Sequence, residues 1–103
     1  MYLDDIIDHA KEYFGGNESR TATLKIKSVE PVSLRIDHAM ADFSAHAVFA
    51  MSLRKGGMGF NRAYLVMEYP NGAVEVKEMI GAHHEQKMRA EADAIFEAFL
   101  AKA

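Results

Sequence analysis

Cysteine is absent from the 103 residues of this chain. That excludes a disulfide framework, a thiolate zinc site and a cysteine nucleophile, and it fits a cytoplasmic protein. Long apolar runs are also missing. None is longer than Ala47 to Met51, far short of the ~18 residues of a membrane span. Basic excess is lacking as well. The formal net charge is −3 and the pI about 5.9, whereas a nucleic-acid binder usually presents a basic domain. The opening residues MYLDDIID carry three Asp, unlike the basic start and apolar core of a secretory leader. No low-complexity tract or internal repeat is visible. Half of the residues are hydrophobic, so one ordered domain over residues 1–103 is expected.

What is present alternates in period. Residues 2–14, YLDDIIDHAKEYF, place Leu3, Ile6, Ile7, Ala10 and Phe14 on one helical face. Asp4, Asp8 and Glu12 line another, which reads as a solvated stripe. Gly15-Gly16 supplies a stop. From 20 to 37 the chain alternates with period two. Ala22, Leu24 and Ile26 share a side with Val32, Leu34 and Ile36, and Thr23, Lys25, Lys27, Ser33 and Arg35 take the other. Pro31 removes a ladder donor, so this is one bent edge strand or two short strands. Residues 37–42 connect it to the next strand. There Phe43, Ala45, Ala47, Phe49, Met51 and Leu53 oppose Ser44, His46, Val48, Ala50, Ser52 and Arg54.

Residues 60–69 and 73–80 form a hairpin around Pro70-Asn71-Gly72. A two-residue Asn-Gly turn would put Leu65 and Met67 on the face of Val74 and Val76. A type I turn with Pro70 in second position and a Gly72 bulge would put Tyr64 and Val66 there instead. Residues 83–102 then read as a helix whose apolar arc is Met88, Ala92, Ile95, Phe96, Phe99 and Leu100. The order is α-β-β-β-β-α, with a fifth strand if Pro31 divides the first. Consecutive strands with short turns form an antiparallel meander. The economical fold is α+β, a two-layer sandwich: a four- to five-stranded sheet with the N- and C-terminal helices packed on one face.

Motifs that carry chemistry are scarce. His83 and His84 are adjacent, and neither has a ligand-type residue four positions away, so no metal site is expected. Ser44 and Ser52 share a face with His46, as strand neighbours often do, and no G-x-S-x-G elbow is present. No catalytic residue and no cofactor are assigned. The stretch RKGGMGFNR, 54–62, lacks the Walker pattern. Its G-x-G is followed by Arg62 where a dinucleotide fingerprint needs glycine, and a strand follows rather than a helix. It reads as a hairpin tip whose Gly56, Gly57 and Gly59 supply positive φ. Arg54, Lys55, Met58, Phe60 and Arg62 are its candidate partner-binding residues.

Apolar residues also occupy both sides of the central strands. If both helices cover one face, Val48, Tyr64, Val66 and Met79 are the candidate self-association face of a homodimer. The favoured reading is a non-enzymatic protein–protein interaction domain of adaptor, chaperone, phage-assembly or inhibitor type. A second is a small-ligand-binding protein or enzyme with a pocket between sheet and helices, marked by a polar cluster of His38, Asp42, His46 or His84. A third is a nucleic-acid-binding module using Lys25, Lys27, Arg35, Arg54, Lys55 and Arg62. Only convergence of those cations on one surface would support it.

Overall fold

The computed structural model describes residues 2–17, 22–32, 43–54, 57, 59–80 and 84–102. The connection 37–42 lies outside them, as do Lys55, Gly56 and Met58 of the tip, and so do the side chains of Phe96, Phe99 and Leu100. The elements are α1 (Leu3–Asn17), β1 (Ala22–Pro31), β2 (Ser44–Arg54), β3 (Phe60–Glu68), β4 (Val74–Glu78) and α2 (His84–Lys102). The strands form one antiparallel sheet in the order β1-β2-β3-β4. This is the expected α-β-β-β-β-α meander of an α+β protein, with four strands.

Local chemistry departs from the sequence reading in two places and settles an open alternative in a third. Gly15 and Gly16 do not stop α1; they are part of its last turn, which runs on to Asn17. β1 is a single strand, and its register against β2 shifts between Ile26 and Ser28. The extra residue is a β-bulge at Lys27, and it swaps the parity of everything after it. Val29 therefore stays on the face of Leu24 and Ile26, while Val32 joins the opposite cluster. The 60–80 hairpin adopts the second of its two registers: Val66 faces Val76 and Glu68 faces Val74. Gly72 N–H donates to the Tyr69 carbonyl at 2.9 Å, and Gly72 has φ +87°. Pro70 presets the turn and only glycine enters its left-handed position without strain.

The helices pack on opposite faces of the sheet. α1 sets Ile6, Ala10 and Phe14 against Leu24, Val48, Ala50, Tyr64 and Val66. Tyr13 meets the Tyr64 ring edge-on at 5.7 Å. α2 sets Met88, Ala92 and Ile95 against Phe43, Ala45, Ala47, Ala63, Leu65 and Met67. Lys77 on β4 pairs with Glu91 of α2 at 2.6 Å. The one-face arrangement is thus corrected, and with it the self-association face. Val48, Tyr64 and Val66 are 0–1% exposed beneath α1. Met79 packs on the other side with the α2 cluster. The cause is β3 itself. Ala63 to Met67 are apolar at both parities, and a strand of that kind needs cover on both faces. Burial of Val48, Tyr64 and Val66 contributes about 1.5–3 kcal/mol each.

Because α1 closes the second face, Ile6→Ala is expected to cost about 2–5 kcal/mol in urea unfolding. Leu3→Ala, at the exposed start of the same helix, should stay within about 0.5 kcal/mol. Equal, small effects for both would mean that α1 does not cover the sheet.

Candidate functional site

With both faces covered, the exposed large apolar side chains among the described residues lie at the start of α1 and at sheet ends: Tyr2, Leu3, Leu53, Phe60 and Ile80. Phe60 opens β3 and Ile80 follows β4. The antiparallel hairpin therefore brings them to the same end of the sheet, beside the start of α2. There they line a groove of about 300 Å³ with Asn61, Arg62, Glu78, Met79 and His84. Phe60 is 54% and Ile80 76% exposed. Lys87 of α2 donates to the Ile80 carbonyl at 2.6 Å, which holds the segment after β4 against the helix.

The polar side of the groove is braced. Arg62 Nη1 donates to Glu78 Oε1 at 2.7 Å, and Arg62 Nε reaches Ser52 Oγ at 3.4 Å. One guanidinium thus links β2, β3 and β4. Both members of the ion pair are about one-fifth exposed, so water screens them only partly. At the tip, Gly57 N–H donates to the Arg54 carbonyl at 3.0 Å. Gly57 and Gly59 do not adopt positive φ; among the described glycines only Gly72 does. Gly59 has another reason. A Cβ there would lie 2.6 Å from Met51 Sδ and 2.9 Å from Leu53 Cδ2. The missing side chain leaves room for the Met51 and Leu53 side chains of β2.

The expected partner-binding residues separate accordingly. Phe60 and Arg62 line the groove, Arg54 is exposed at the end of β2, and Lys55 and Met58 lie outside the described residues. The sequence reading missed Asn61, Glu78 and Ile80, and assigned Met79 and His84 to other roles, in the self-association face and the polar cluster. The type I turn at Pro70–Gly72 was the signal that could have found them, because its register sets the start of β3 beside the end of β4. The described cations do not converge. By register Lys25 lies on the α2 face, where Lys27 also reaches Asn61 at 3.3 Å, whereas Arg54 and Arg62 lie on the α1 face. Arg35 lies outside the described residues.

At the opposite end of the sheet stands a second polar group. Ser44 pairs across from Glu68, and His46 follows on the same face. Ser44 Oγ and His46 Nδ1 are buried and have no hydrogen-bond partner among the described residues. His46 and His84 are at opposite ends of β3, and His38 and Asp42 lie outside the described residues, so the polar cluster expected of a ligand pocket is not assembled there. A larger hollow of about 410 Å³ runs along α2 past Gln86, Arg89, Asp93 and Glu97. Its described wall is that helix alone, which defines no chemistry. Among the described residues no grouping of His, Asp and Glu could hold a metal ion, and no helix is long and apolar enough to cross a membrane. Comparison with protein-family models, with curated proteins and with solved structures returns no match. The functional reading rests on the site itself.

Burial pushes the His46 imidazole below its ordinary 6.5, and the Glu68 carboxylate works against that shift. A lowered folded value means that neutral His46 adds stability above pH 6.5. That contribution is lost as pH falls through the folded value. In an NMR titration His46 should ionise below 6.5 in the wild type and lower still in Glu68→Gln. An upward move in Glu68→Gln would show that Glu68 does not face the ring.

Proposed function

We propose that this chain is a non-enzymatic protein-binding domain whose contact site is the groove at the Phe60–Ile80 end of the sheet. The observation that carries this reading is the pairing of two large apolar side chains, each more than half exposed, around a pre-braced ion pair. An exposed apolar surface rimmed by polar groups marks a contact site. The volume of about 300 Å³ is at the lower limit for enclosing a small molecule. It suits one bulky apolar side chain presented by a protein partner, the kind of anchor that dominates interfaces. Arg62 and Glu78 are already ordered, so they can bond a partner's backbone or side chains at little conformational cost. The division of the cations between two faces favours this reading over a nucleic-acid module, which needs a continuous basic track.

Peptides selected by display on the purified chain should share a large aliphatic or aromatic anchor. They should bind the Phe60→Ser and Ile80→Ser proteins about tenfold more weakly or worse, with unchanged affinity for Gln86→Ala on α2. Selected peptides that bind both groove variants as tightly as the wild type would overturn the assignment.

A further inference from the structure

β4 is one edge of the sheet. Its backbone groups divide by parity. Met79 N–H donates to the Ala63 carbonyl at 2.8 Å, and Tyr69 N–H donates to the Ala73 carbonyl at 2.9 Å. The odd-numbered residues of β4, Glu75 across from Met67 and Lys77 across from Leu65, therefore bond β3. Antiparallel ladders alternate, so the amides and carbonyls of Val74, Val76 and Glu78 point outward. Among the described residues no backbone hydrogen bond reaches them.

The two edges differ. β1 carries the Lys27 bulge, exposed Lys25 and a terminal Pro31, the devices that blunt an edge against pairing. β4 is regular throughout and has no proline. It carries Glu78, paired with Arg62, and, on the other face, Glu75 and Lys77, which stand two residues apart with opposite sign on either side of Val76. Both are already held in place. Tyr69 Oη donates to Glu75 at 2.6 Å, and Lys77 donates to Glu91 at 2.6 Å.

We infer that β4 pairs antiparallel with β4 of a second copy across a two-fold axis at Val76, extending one sheet through both copies. In this register Val76 faces its own counterpart and Val74 faces Glu78. Each pair exchanges N–H···O bonds in both directions, which satisfies every outward group of the strand. Glu75 of each copy stands opposite Lys77 of the other, twice over, and opposite charges directly across an antiparallel pair attract. Centring the pair one residue either way sets Glu75 against Glu75 or Lys77 against Lys77. The charge order thus selects both the orientation and the register, and it favours a copy of this chain over an arbitrary strand. This association uses the outward backbone groups of β4, of which only those of Glu78 belong to a residue that also lines the groove, and it does not depend on the groove's role.

Sedimentation equilibrium at tens of micromolar should give twice the 11.5 kDa chain mass. Glu75→Lys and Lys77→Glu each place like charges opposite one another, and each alone should associate at least about tenfold more weakly. Mixed in equal amounts, the two variants place Lys opposite Glu at both positions. They should form a heterodimer, read by native mass spectrometry. A monomeric wild type, unweakened single variants, or two folded variants that fail to associate when mixed would each overturn the pairing. If either variant does not fold, amide exchange in the wild type decides. Val74, Val76 and Glu78 should be protected at high concentration and lose protection on dilution. Absence of protection at every concentration would overturn the inference.

Discussion

The rest of the molecule depends on removing one strand from water on both of its faces. Ala63, Tyr64, Leu65, Val66 and Met67 are consecutive on β3, and none is more than 1% exposed. Alternation sends Tyr64 and Val66 one way and Ala63, Leu65 and Met67 the other. One helix can shield only one of these sets. α1 therefore takes the first and α2 the second, although both helices could have lain side by side on a single face. Each placement removes a large apolar area from water, and no local preference of either helix competes with that.

The contacts we propose lie at the margins as a consequence. With a helix on each face, the sheet itself leaves only its ends and edges open among the described residues. At one end the apolar cover stops short of Phe60 and Ile80, and the groove lies where the hairpin and the start of α2 come together. Along one edge the bulged, basic β1 discourages pairing, while β4 keeps its outward hydrogen-bonding groups in regular register. Arg62 illustrates the change of role. In the stretch RKGGMGFNR it reads as one cation among several at an open tip. In the fold it is spent on Glu78 and Ser52 and braces three strands beside the groove. Phe60, one turn of the pleat away, keeps its exposure.

Much of the fold was legible along the chain. The element order, the alternation of β2, the Pro70–Gly72 turn and the amphipathic α1 all follow from local periodicity, because backbone geometry imposes its own repeat on burial. The bulge at Lys27 was not legible. It breaks the period once, and the residues that follow resume alternation as if nothing had happened. Gly15 and Gly16 misled for a similar reason: glycine permits a helix stop but does not compel one. Of the candidate site, Phe60 and Arg62 could be picked out. Glu78 and Ile80 could not, because their importance lies in standing next to residues some twenty positions away, which depends on register.

By itself the sequence determined the elements, their order and the antiparallel meander, since each rests on spacing within a few residues. It also held, in AYLVM, the demand for cover on both faces. Only the tertiary structure decided how that demand is met, with α1 above one face and α2 above the other. The choice is made by the total apolar area removed from water, a sum over residues far apart in the chain that no local window contains. The same sum turned Val48, Tyr64 and Val66 from a docking surface into core. It left Phe60 and Ile80 exposed and β4 at the edge of the sheet, the surfaces to which we assign contact with partners.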